Sequence, residues 1–136
     1  MLEKKFDKIA NSYENTLPEH VRNHYFQKRN SFIRNFIKPG YKILDVGCGT
    51  GKLVRSLSSE EKIFSCGCDN SLEMLNVFRE DVNFKKVCCD CRQLPFYSDV
   101  FDLVVSIAVT HHLSSDQDVA EAMKEMIRVT RKGGKI

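Results

Sequence analysis

Tryptophan is absent from this chain of 136 residues, proline occurs three times and glycine seven. That excludes collagen-like and Pro/Gly-rich low-complexity architectures. No apolar run approaches the ~18 residues of a membrane span. The first ten residues, MLEKKFDKIA, contain no apolar block of the secretory kind. A cytoplasmic or nuclear address and no membrane partner are the expectations. An excess of charge of one sign is also lacking. The 21 Lys and Arg against 18 Asp and Glu leave a net charge of +3, which permits an anionic partner such as RNA but does not require one. Repeats and interdomain linkers are missing as well. A single domain over residues 1–136 is expected, since 42% of the chain is hydrophobic and can form one core.

Common site spacings are missing too. Six cysteines occur, as FSCGC, VCCDC and Cys48. Neither FSCGC nor VCCDC supplies the two paired ligand motifs of the usual zinc sites, so no metal is expected. Reduced cysteines acting as small hydrophobes are. A P-loop, G-x4-G-K-[ST], fails because Leu53 follows Gly51-Lys52 and the spacing from Gly47 is one residue short. A dinucleotide fingerprint, G-x-G-x-x-G, fails because Lys52 stands where the third glycine belongs.

What is present has a clear rhythm. Residues 2–14 place Leu2, Phe6, Ile9, Ala10 and Tyr13 on one helical stripe. Residues 19–37 do the same with Val21, Tyr25, Phe32, Ile33, Phe36 and Ile37, with Pro18 at the first turn and Lys38-Pro39-Gly40 as the stop. Short apolar runs then predict strands at 42–46, 62–68, 83–89 and 101–109. Helices are predicted at 52–57, 71–78 (with Ser71 as N-cap) and 117–129, where Val119, Ala122, Met123, Met126 and Ile127 recur at helical spacing. Gly133-Gly134 then turns towards a fifth strand as the sequence reaches Ile136. Alternation of this kind predicts an α/β fold with a parallel sheet and flanking helices over residues 41–136, preceded by two N-terminal helices within 1–38.

The stretch ILDVGCGTG, residues 43–51, joins the first strand to the next helix through Gly47, Gly49 and Gly51. Glycines there let backbone approach a ligand closely, and the helix N-terminus behind them suits an anion. An acid closes each of the first three strands: Asp45, Asp69 and Asp90. A carboxylate at Asp69 can accept from both hydroxyls of a ribose. One at Asp90 can accept from an adenine amino group.

ILDVGCGTG, CDNSLEML, CCDCRQLPF, FDLVVSIAVTHHL and EMIRVTRKGGKI follow one another in the order found in class I S-adenosylmethionine (SAM)-dependent methyltransferases, and residues 40–136 resemble that family. The resemblance implies a Rossmann-like fold and SAM as cofactor. It implies Gly47, Cys48 and Gly49 at the methionyl end, with Asp45 closing the strand before them, and Asp69 on the ribose bordered by Asn70 and Met74. It also implies Asp90 with Cys91 at the adenine, and Ser106 and Ile107 beside the methionyl amine and the transferred methyl. FDKIANSYE resembles the lead-in helix of such enzymes, in which Tyr13 reaches the cofactor carboxylate.

SIAVTHHL, residues 106–113, resembles the fourth-strand motif of eukaryotic tRNA methyltransferases that esterify carboxymethyl-uridine at the wobble position. That resemblance implies a tRNA acceptor and a small zinc-binding activator protein as partner. It puts His111 where the acceptor would be oriented, with packing on the next helix as the alternative for His111 and His112. ENTLPEH lacks the arginine these enzymes carry past the lead-in helix; Arg22, Lys28, Arg29 and Arg34 come later and supply a possible RNA face. The family's sheet has seven strands, so a sheet truncated at its fifth strand is expected, with an exposed edge that invites a partner. Three functions stay open: a tRNA methyltransferase, a methyltransferase for a small molecule such as a quinone precursor, and a non-catalytic methyltransferase-like module.

Overall fold

The computed structural model describes residues 17–59, 62–77 and 79–136. The expected helix over 2–14, and Tyr13 with it, lies outside them. The elements run α1 (Glu19–Arg34), β1 (Lys42–Val46), α2 (Lys52–Ser58), β2 (Phe64–Asp69), α3 (Leu72–Leu75), β3 (Phe84–Cys88), β4 (Phe101–Val105), a 3-10 turn (Thr110–His112), α4 (Asp116–Val129) and β5 (Thr130–Lys135). All five strands pair in parallel, in the order β3-β2-β1-β4-β5. This is the expected α/β, Rossmann-like sheet. No described helix is long and apolar enough to cross a membrane.

Alternation along the strands sorts side chains to two faces. Ile43 of β1 and Leu103 of β4 meet Ile33 of α1 and Leu57 of α2 on one face. Leu44, Val46, Cys66, Cys68 and Val104 meet Met126 and Val129 of α4, with Leu94 and Phe101, on the other. On the α2 face Ser65 is fully buried, and its hydroxyl donates to the Val54 carbonyl at 2.9 Å. A neighbouring β2 residue, Gly67, has no room for a side chain, because a Cβ there would sit 2.6 Å from the Cys48 sulfur.

Several boundaries differ from the sequence expectation. Pro18 is the N-cap of α1 and does not sit inside its first turn. The stripe expected on α1 divides: Ile33 is buried, whereas Tyr25 and Phe32 are exposed. The helix beginning after Ser71 is one turn long, although Ser71 caps it as expected by accepting from the Met74 N–H. β4 stops at Val105 and not at 109, because Ala108 takes a left-handed φ of +58° that no strand continues through. Met123 and Ile127 of α4 are exposed. Gly133 and Gly134 lie inside β5 and do not precede it. The strand bulges between its pairings with Phe101 and Leu103, and a Cβ on Gly134 would meet the Asp102 carbonyl at 3.0 Å.

Candidate functional site

The strand order reverses beside β1, and the crevice at the carboxyl ends of the strands is the usual ligand position in an open parallel sheet. A cavity of about 840 Å³ opens there. Asp45, Asp69 and Asp90 all line it.

The glycine loop is held by the sheet. The N–H groups of Gly47 and Cys48 both donate to the Cys68 carbonyl, at 2.7 and 2.9 Å, and Gly51 N–H donates to the Cys48 carbonyl at 3.0 Å. Gly49 N–H donates to one Asp69 oxygen at 2.8 Å, and Ser71 N–H donates to the other at 2.9 Å. These N–H groups of the loop are therefore turned inward and do not face a ligand. The helix behind them spans seven residues. What the loop offers is a close wall of bare backbone. Gly47 has φ +78°, and a Cβ on it would stand 2.2 Å from a Val109 methyl. That position accepts only glycine.

The acids are not equivalent. Asp45 is buried, and its carboxyl is pushed up to about 7, by desolvation first and by the Asp69 charge second. Asp69 keeps lone pairs beyond the two it gives to backbone, since a carboxylate has about four acceptor sites. Asp90 is paired with Arg92, whose Nη2 stands 2.6 Å from it, and Arg92 Nη1 reaches Asp118 at 2.7 Å. The Arg92 hydrogen bonds hold Asp90 below the usual carboxylate range. This pair has no counterpart in the sequence expectations, although Asp90 and Arg92 are only two residues apart.

Thiols supply much of the remaining lining: Cys48, Cys68, Cys88, Cys89 and Cys91 all face the cavity, and all are free. Cys88 is exposed, unlike the buried cysteines expected. Burial, then the Asp45 and Asp69 charges, keeps the Cys48 thiol protonated. The hydrogen bond between Cys68 and Cys89 raises the first and lowers the second.

Of the remaining expected residues, Gly47, Cys48, Gly49, Asn70, Met74, Cys91 and Ile107 line the cavity. Ser106 is not among the lining residues, because the bend at Ala108 carries Ile107, Ala108 and Val109 to the wall instead. His112 is a lining residue and His111 is not. His111 is exposed, with its ring 3.9 Å from that of His112. From α1 come Arg22, Tyr25, Phe26 and Arg29, joined by Lys52, whose Nζ lies 4.7 Å from the Phe26 ring centre. Their i, i+3, i+4, i+7 spacing was legible in the sequence, but nothing there indicated which side of the helix meets the cavity.

Residues 44–136 match the family described as "Methyltransferase domain". The chain is 35% identical over 132 residues to a Xenopus tropicalis protein named tRNA (carboxymethyluridine(34)-5-O)-methyltransferase alkbh8, covering 97% of this chain and 19% of that protein. It is 36% identical over 95 residues to the Arabidopsis thaliana tRNA (carboxymethyluridine(34)-5-O)-methyltransferase, covering 70% and 22%. The chain thus spans about a fifth of the length of these curated relatives. Among solved structures, a chain from the complex between the Haloferax volcanii Trm112 methyltransferase activator and a methyltransferase superposes with TM-score 0.77 at 22% identity, over 95% of this chain and 57% of that one. At that identity the likeness is one of fold.

Proposed function

The chain belongs to the methyltransferase domain family, and from that premise we propose that it binds SAM at the strand-end cavity and serves methyl transfer to carboxymethyl-uridine at the wobble position of tRNA. The observation that carries the cofactor is the combination of a side-chain-free cradle at Gly47 with carboxylates at Asp45 and Asp69 in one cavity. Bare backbone at the Gly47–Gly49 loop, facing acids in one cavity, fits a cationic nucleoside whose amino-acid end lies against backbone. Asp69 would hold the ribose, Asn70 and Met74 its border, and Asp90 with Cys91 the adenine. Asp45 would face the positive end.

SAM when bound supplies a methyl group already activated on a sulfonium. The protein's part is therefore positioning and exclusion of water. Ile107, Val109 and Leu113 give the cavity wall after β4 an apolar surface beside the methionyl end. A carboxylate acceptor carries no proton to remove, so no general base is required. His112 would orient the acceptor through a ring N–H, and His111, packed against it at a tilt, would hold that ring in place.

The tRNA acceptor is supported by relatives named for this reaction. A small zinc-binding activator protein is the proposed partner, supported by the neighbour solved with a Trm112 methyltransferase activator. The test is transfer of labelled methyl from SAM into total tRNA, with the activator present. Label is expected at the wobble uridine. No incorporation alongside measurable SAM binding would remove the tRNA acceptor, and no SAM binding by calorimetry would remove enzymatic function altogether.

A further inference from the structure

We propose that one face of α1 is the acceptor wall of this cavity, and that it receives an unstacked base of single-stranded nucleic acid together with a flanking phosphate. The inference rests on the tRNA reading above and assigns residues to it. Arg22, Tyr25, Phe26 and Arg29 share one helical face, and all four line the cavity whose floor the strand ends form. Two guanidinium groups interleaved with two aromatic rings are the components of single-strand recognition: rings stack on bases and cations track the backbone.

The other features of the cavity direct an anion to this face. The strand ends and α4 contribute Asp45, Asp69, Asp90 and Asp118, which repel phosphate. Arg92 is committed to Asp90 and Asp118. On α1 itself, Arg34 is committed to Asn30 and Ser56, and Lys28 does not line the cavity. Phe26 has the Lys52 ammonium over its ring, which pins the helix to the start of α2. Tyr25 is left 54% exposed at the cavity, a large ring in the position a stacked base would cover. Arg22 donates from its Nε to the Leu17 carbonyl at 3.0 Å.

The test uses the full chain, a fluorescently labelled single-stranded RNA with the sequence of an anticodon loop, and SAM calorimetry on every variant. Arg29→Ala is expected to weaken RNA binding about fivefold and to reduce the salt slope by about 0.7, the value for one lost contact on a single strand. Tyr25→Ala is expected to weaken it about tenfold, and Tyr25→Phe to stay within about twofold, because the phenyl ring still stacks. Lys28→Ala, on the same helix but outside the cavity, should bind within about twofold of the parent. SAM affinity should hold within about twofold throughout, which reports that the variants fold. Parent-like RNA binding by Arg29→Ala and Tyr25→Ala overturns the proposal and leaves the tRNA reading standing. So does a Lys28→Ala loss as large as that of Arg29→Ala. An unmodified chain that neither binds the RNA nor methylates tRNA removes the tRNA reading, and this proposal with it.

Discussion

The floor of the cavity and its α1 wall are held by different kinds of bond. The floor is a backbone lattice. Gly47 and Cys48 N–H meet the Cys68 carbonyl, Cys89 N–H meets the Asp69 carbonyl, and the Asp69 carboxylate ties Gly49 to Ser71. The α1 wall is attached by side chains: Asn30 and Arg34 on Ser56, and Lys52 on Phe26. The backbone-to-backbone bonds of the floor survive a single side-chain substitution, whereas a side-chain latch can be opened by one. A cofactor of fixed shape suits the first, and an acceptor that must enter and leave suits the second. Substitutions on the floor should therefore disturb stability and cofactor together, and substitutions on the wall should separate the acceptor from the cofactor.

The largest effect is expected at Gly47. Gly47→Ala forces a Cβ into the left-handed region and against Val109 at 2.2 Å. The two costs together amount to about 2–4 kcal/mol of stability, read from the denaturant midpoint. Val109→Ala in that background should restore part of the loss by removing the methyl that clashes. A Gly47→Ala protein of unchanged stability and SAM affinity would show that the lattice yields, and the contrast between floor and wall would fail. Asp69→Ala comes next. It removes the proposed ribose acceptor and frees two N–H groups, so SAM affinity should fall by about 10- to 100-fold in calorimetry. An unchanged affinity would mean that the ribose lies elsewhere.

Asp45 sharpens the floor's side of the comparison through pH. Its carboxyl titrates near 7 in the fold against about 4 unfolded. Without ligand, its contribution to stability is fully present below pH 4, declines as pH rises towards 7, and is flat above. Asp45→Asn should accordingly gain on the parent across that window in thermal melts. A cationic ligand favours the ionised form, so SAM affinity should rise by up to about tenfold between pH 6 and pH 8, and binding near pH 7 should release protons. Asp45→Asn should flatten that rise. A rise that survives the substitution would assign it to another group.

The lattice was largely legible in the sequence, and the latch was not. Strand alternation, the glycine spacing and the acids Asp45, Asp69 and Asp90 are local signals, and each lies at a strand end where parallel pairing brings them together. The Ala108 bend was hidden, because S-I-A-V-T is apolar enough to read as continuing β4 and only the fold forces its left-handed residue. Past that bend, in the 3-10 turn, His112 lines the cavity and His111 does not. The partners of Arg34 were hidden for a similar reason. A basic residue on a helix reads as solvent-facing or RNA-facing, and its docking on Ser56, 22 residues on, depends on how α1 packs over α2. The pairing of Asp90 with Arg92 required the turn geometry in which Arg92 N–H also donates to Asp90, at 2.8 Å.

The smallest effect is expected where the latch closes. Arg34 donates from Nη2 to the Ser56 carbonyl at 3.0 Å and from Nε to Asn30 Oδ1 at 3.0 Å, while Asn30 donates to the Ser56 hydroxyl at 3.1 Å. Arg34→Ala removes these guanidinium bonds from a part-buried contact, for about 1–2 kcal/mol of stability. Ser56→Ala removes only the hydroxyl and leaves the carbonyl contact, so it should cost less than Arg34→Ala. Neither residue lines the cavity. Their loss should therefore raise KM for the RNA acceptor several-fold through a less ordered α1, with SAM affinity held within about twofold. If SAM affinity instead falls in step with the acceptor, then α1 and the strand ends form one rigid unit, and the distinction between lattice and latch has no functional meaning.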